Sequence, residues 1–181
     1  MALILEDGSG VTGANAYADR TFADAYFSDR GHAAWTGTDD EKDIALIKAT
    51  DYIQQRFQGG WLGDKVNHSY PLCWPRQNVD DGKGRLRFDY NEIPTELKKA
   101  TAEYALRALT TELITDPTTN GLEVVEESKE VGPIKTKKKY SQMGRSKSSL
   151  VRDSIFKEYP TADMHIESLL RPASVRQLVR V

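Results

Sequence analysis

The chain has one cysteine, Cys73, in 181 residues. A lone cysteine excludes an internal disulfide framework and leaves no thiolate cluster for a metal. Long apolar runs are missing too. No stretch approaches the roughly 18 apolar residues of a membrane span, and the opening MALILEDGSG has no basic n-region and only a four-residue apolar run, which argues against a signal peptide. The expectation is a soluble protein of intracellular origin with no membrane partner. Histidine is scarce: His32, His68 and His165 are isolated, outside any HExxH or His/Cys cluster, and read as scattered surface residues. Asp80-Asp81-Gly82-Lys83-Gly84 lacks the leading glycine and following Ser or Thr of a P-loop and the spaced ligands and terminal Glu of an EF-hand, so it reads as a turn. Gly8-Ser9-Gly10 lacks the residues that flank the serine of a nucleophile elbow. No enzyme class emerges, and no cofactor or metal is expected.

What is present is charge. Charged residues make up 29% of the chain against 39% hydrophobic, which is polar for a globular protein and suggests extended parts or a core completed by neighbours. The net charge of -2 hides an asymmetry. Residues 1–131 carry 14 Lys and Arg against 23 Asp and Glu, and residues 132–181 carry 11 against 4. The basic end could meet nucleic acid or the acidic part of a neighbouring copy.

Thr21 to Arg30 reads as a short helix with Phe22, Ala25 and Tyr26 on one face and Asp19 as a cap. A second helix runs from Asp39 to Phe57, opened by Thr38 and Glu41 at capping-box spacing. Its stripe is Leu46, Ala49, Ile53 and Phe57, and Ile44 and Ile47 give it a weaker second apolar side. A third helix starts at Pro94 and runs to about Leu113, apolar on two faces, so it is the centre of a bundle or a wedge between subunits. Leu122 to Val131 and Ile134 to Tyr140 read as two strands around Gly132-Pro133, one rich in Glu and one in Lys, paired across a hairpin. Ser141 to Ser149 is polar and loop-like. A short helix spans Asp163 to Leu170, and a β-prone basic tail follows Arg171-Pro172. The fold class is mainly α, a helical bundle over 1–115 with an extended β-hairpin arm and polar loop over 116–160, then a short helix and C-terminal tail over 161–181.

The stretch YPLCWPR, Tyr70 to Arg76, puts Cys73 and Trp74 between two prolines. A reactive thiol, a base-stacking platform and a packed turn are the three readings. No histidine or other base has a local relation to Cys73, and both prolines bar a helix. Trp61, Cys73, Trp74, Pro75 and Arg76 are therefore assigned a structural role, a clasp between the second and third helices. For nucleic acid, Lys135, Lys137, Lys138, Lys139, Arg145, Lys147 and Arg152 supply phosphate attraction, but single-strand binding also needs interleaved aromatics, and only Tyr140 and Phe156 lie near.

Asn15-Ala16-Tyr17 with FADAYFSDRG, then ALIKATDYIQQRF, Gly60-Trp61-Leu62-Gly63, Leu72-Cys73-Trp74-Pro75-Arg76, and IPTELKKATAEYAL before VGPIK resemble tailed-bacteriophage proteins described as DnaT-like single-stranded-DNA-binding proteins. These in turn are similar to head-to-tail adaptor proteins of phages. The likeness covers about residues 15–140 and departs at Asp64, where a basic residue is expected. It implies a virion protein of the neck, assembled in the host cytoplasm as a homo-oligomeric ring of twelve. Such a ring would dock under the portal protein, bind the next neck or tail protein and let packaged DNA through its channel. The implied portal contact is the tail: Arg171, Val175, Arg176, Leu178, Val179, Arg180 and Val181. Ring subunits need heterologous contacts, assigned here to Ile44, Ile47, Lys135, Lys137 and Lys139. The alternative is a single-stranded-DNA-binding replication accessory protein.

Overall fold

The computed structural model describes residues 2–114, 126–131, 134–139 and 156–171, the two stretches between 126 and 139 by their backbone. The chain divides into two compact units, Met1–Leu113 with Glu158–Val181, and Ile114–Lys157. Among the described residues the first holds four helices: α1 (Arg20–Ser28), α2 (Asp39–Arg56), α3 (Thr95–Ala108) and α4 (Pro160–Glu167).

Local chemistry explains the helix starts. The Asp19 carboxylate accepts the Phe22 amide at 2.8 Å. Thr38 and Glu41 form a reciprocal capping box, with Glu41 accepting the Thr38 amide at 2.8 Å and Thr38 accepting the Glu41 amide at 3.3 Å, which satisfies two amides that a helix start leaves open. Pro160 opens α4 in its first turn, where its missing N–H costs nothing.

Helix α3 is the centre of this unit. It packs on α1, α2 and α4, and Leu97 and the unbroken run Ala100 to Ala105 are buried. The Leu97, Ala100 and Tyr104 side is thus covered within the chain, while on the other side Ala102 and Leu113 are buried and Leu106 and Leu109 half-buried. The helix ends at Ala108, short of the expected Leu113. The Thr110 amide and the Thr110 and Thr111 hydroxyls donate to the Arg107 carbonyl, a local alternative to a further helical turn, alongside the Thr111 amide, whose bond to Arg107 is the last of helical spacing. Leu113 is still buried, beyond the helix. In α1 the buried face is Ala23, Tyr26 and Phe27, not Phe22, Ala25 and Tyr26, because Phe27 packs its ring 5.0 Å from that of Trp35. In α2 the inward set is wider than the expected stripe, adding Ala45, Thr50 and Tyr52. Ile44 is 46% exposed and Ile47 half-buried.

Between α2 and α3 the chain makes loops and a minimal antiparallel pair, β1 (Asp64–Lys65) with β2 (Arg76–Gln77). In the second unit β3 (Glu126–Val131) pairs antiparallel with β4 (Ile134–Lys139). The architecture is therefore mixed, four helices with small antiparallel strand pairs, rather than a plain helical bundle. The expected loop 141–149 and the tail residues Val175, Arg176, Leu178, Val179, Arg180 and Val181 lie outside the described residues.

Candidate nucleic-acid interface

YPLCWPR is folded inward. Trp74 has no exposed surface and Leu72 5%, and the Trp74–Pro75 peptide bond is cis. Rings follow one another from Phe57 to Trp61 (6.0 Å), Trp61 to Trp74 (6.1 Å) and Trp74 to Phe88 (6.0 Å), each edge to face. With Trp61 at 2% exposure and Trp74 at 0%, neither indole offers a face to a base. The backbone is tied to the bundle as well. The Cys73 amide donates to Gln54 Oε1 at 2.9 Å and the Trp74 amide to the Tyr17 hydroxyl at 3.2 Å. Burial pushes the half-buried Cys73 thiol above its ordinary value, which lowers its thiolate fraction and its reactivity.

Arg76 closes the clasp through backbone alone: Nε donates to the Leu62 carbonyl and Nη2 to that of Gly63, both at 2.6 Å, and Nη1 to that of Cys73 at 3.3 Å. Gly63 must be glycine here, since its φ is +62° and a Cβ would stand 2.3 Å from the Gln77 carbonyl oxygen. Arg171 arrives at the same place. Its amide donates to the Gly60 carbonyl at 2.8 Å, and its Nη2 shares the Gly63 oxygen at 3.4 Å.

Five cations on α1, α2 and α3, namely Arg20, Lys42, Lys48, Arg56 and Arg107, are paired with carboxylates at 2.7 to 3.5 Å. Lys65, Arg76, Arg87 and Arg171 donate to the carbonyls of Tyr70, of Leu62, Cys73 and Gly63, of Ser168 and of Gly63, and none forms an ion pair among the described residues. Burial pushes the Arg76 guanidinium below its ordinary value, and the charge of Arg171 acts the same way, opposed by Asp64 and the Cys73 thiolate form. Carbonyl dipoles satisfy the hydrogen bonds but leave the net charge in place.

Next to these cations Val79 to Arg87 fold back on themselves. The Arg87 amide donates to the Val79 carbonyl at 2.8 Å and the Asp81 amide to the Arg85 carbonyl at 3.0 Å. Asp80 accepts the Gly82 amide at 2.7 Å, and Asp81 accepts those of Lys83 and Arg85 at 2.8 and 3.2 Å. The turn expected at Asp80–Gly84 is there. What the sequence reading missed is the arm after it, Lys83-Gly84-Arg85-Leu86-Arg87-Phe88-Asp89-Tyr90, where cations alternate with large apolar residues. Leu86 is 69% and Tyr90 64% exposed, while Phe88 is half-buried against Trp74. Alternation of that kind was the available signal.

The lysine strand has a defined backbone register. The register sets Glu126 opposite Lys139, Glu127 opposite Lys138 and Glu130 opposite Lys135, with Ser128 opposite Lys137, so three of these four lysines face an acidic residue. Among the described residues no group of three or more His, Cys, Asp or Glu could hold a metal, and no helix is long and apolar enough to cross a membrane.

Residues 1–181 match the family described as "Putative DnaT-like ssDNA binding protein". The chain belongs to that family. No curated protein and no solved structure matches it.

The whole-chain family match overturns the head-to-tail adaptor reading, and with it the virion neck role, the portal and tail-protein partners and the twelve-membered ring. The partner that the family description points to is single-stranded DNA. The physical grounds for the ring have local explanations in part: α3 packs on three helices of its own chain, and Arg171, expected at the portal, is tied to Gly60 and Gly63. Of the expected subunit contacts, Ile44 and Ile47 lie on α2 and Lys135, Lys137 and Lys139 on β4, in different units.

Proposed function

We propose that this chain is a non-enzymatic protein that binds single-stranded DNA. The carrying observation is the family match over residues 1–181. Electrostatics support it: residues 132–181 have 11 Lys and Arg against 4 Asp and Glu, and Lys65, Arg76, Arg87 and Arg171 stand without ion pairs among the described residues. Phosphate attraction of this kind supplies affinity without regard to sequence. Exposed Tyr90 and Leu86 supply what double-stranded DNA cannot use, since stacking needs an unpaired base. Anisotropy of a labelled oligothymidylate, titrated with the full chain and competed with unlabelled duplex or single strand, tests the reading. Single strand should displace the probe at far lower concentration than duplex; equal displacement by the two would refute the single-strand preference.

A further inference from the structure

We infer that Tyr90 and Leu86 form the platform on which bases stack, and that Arg87 and Arg171 hold the DNA backbone beside it. This rests on the single-stranded-DNA reading above and assigns it a site.

The exposed large hydrophobic residues of the described chain are Ile4, Ile44, Leu86, Tyr90 and Met164. Tyr90 is the aromatic one, and Leu86 lies on the same arm. The arm is not a loose loop. Val79 at its base is fully buried, the Arg87 amide closes on Val79 at 2.8 Å, and Phe88, between Leu86 and Tyr90, sets its ring 6.0 Å from the buried Trp74. The clasp thus holds the arm from behind, and a platform that is rigid before binding loses little entropy when a base lands on it.

The charges sit where a backbone would run. Arg87, adjacent to Leu86, donates to the Ser168 carbonyl, which brings the arm to the end of α4. Three residues on, Arg171 shares the Gly63 oxygen with Arg76, at 3.4 and 2.6 Å. Two guanidiniums on one carbonyl oxygen, with no ion pair to either among the described residues and only Asp64 acting on Arg76 from farther off, repel each other, and a phosphate diester matches the guanidinium fork. Nearby acids temper the field. Asp80 and Asp81 accept turn amides, and Glu92 accepts the Asp89 amide at 3.4 Å. Stacking on Tyr90, not charge density, must therefore supply the larger share of affinity at this site.

The experiment is anisotropy of the full chain with a labelled oligothymidylate of about 20 nucleotides, a length that spans an ordinary single-strand site, over a series of salt concentrations. Tyr90→Ala should weaken binding about five- to hundredfold with the salt slope unchanged, and Tyr90→Trp should restore it. Arg87→Gln and Arg171→Gln should each reduce the slope of log K against log salt by about 0.7, the loss of one phosphate contact on a single strand. Thermal melts of the variants separate unfolding from lost contact. If the wild type binds and Tyr90→Ala binds equally well, the platform is refuted while the DNA reading stands; unchanged slopes in both arginine variants refute the backbone contact. If the wild type fails to bind, the DNA reading falls and takes this site with it.

Discussion

Trp74 contacts rings on both sides and shows no surface to solvent, so its removal leaves a hole that its neighbours, tied to the backbone of the clasp, cannot close. Trp74→Ala should cost about 3–5 kcal/mol, read as a lower urea midpoint at constant m value. Cys73→Ser should leave that midpoint nearly unchanged, and the raised thiol should react slowly with iodoacetamide near neutral pH. The clasp itself was legible because two prolines allow few backbones. Its use of Arg76 on three carbonyls was not, since no pattern in the chain says that an arginine will take backbone rather than a carboxylate. His165 gives a pH test. Burial pushes its imidazole below the ordinary 6.5, opposed by Glu103 and Glu96 and reinforced by Lys99 and Arg30, and its Nε2 lies 3.4 Å from the Tyr26 hydroxyl, which itself donates to Glu103 at 3.0 Å. The folded state then holds this proton less firmly than the unfolded chain. Its contribution to stability is present above the unfolded value and lost as pH falls through the folded one. Unfolding free energy measured from about pH 7 down to about pH 5 should decline, and less steeply in His165→Gln; identical slopes would remove His165 from the account.

Helices are fixed here by their ends and by a part-buried ion pair between them. Thr38→Ala removes half of the capping box and should lower stability by about 1 kcal/mol, measured by chemical denaturation. Arg56 grips Asp163 through two nitrogens at 2.7 and 2.9 Å, and Asp163 also accepts the Tyr104 hydroxyl. That pair ties α2 and α3 to α4. Asp163→Ala should cost about 3 kcal/mol, because it leaves a largely buried guanidinium without its anion, whereas a loss below about 0.5 kcal/mol, typical of a solvated surface pair, would contradict the assignment. The caps were readable from Asp19 and from Thr38 with Glu41, since local side-chain chemistry sets them. The ends and faces were less so. The α3 terminus depended on Thr110 and Thr111 turning back on Arg107, and the α1 face on the long-range packing of Phe27 against Trp35, neither of which follows from helical periodicity.

At the scale of the whole molecule the central question is what the uncompensated charge meets. Composition suggested the lysine-rich strand, but β4 lies opposite glutamates in β3, and four cations that form no ion pair among the described residues, Lys65, Arg76, Arg87 and Arg171, come from positions far apart in sequence. No window of the chain shows that grouping, because it exists only once the end of α4 returns to the Trp61 loop through the Leu62 amide and the Leu169 carbonyl at 2.9 Å. The same convergence explains how Arg171 could read as the root of a free tail and yet be anchored. The most direct measurement is the affinity of the full chain for oligothymidylate as salt rises from about 50 to about 200 mM. Single-strand binding with a linear, negative dependence of log K on log salt is the predicted result; no binding at the low-salt end would contradict the account.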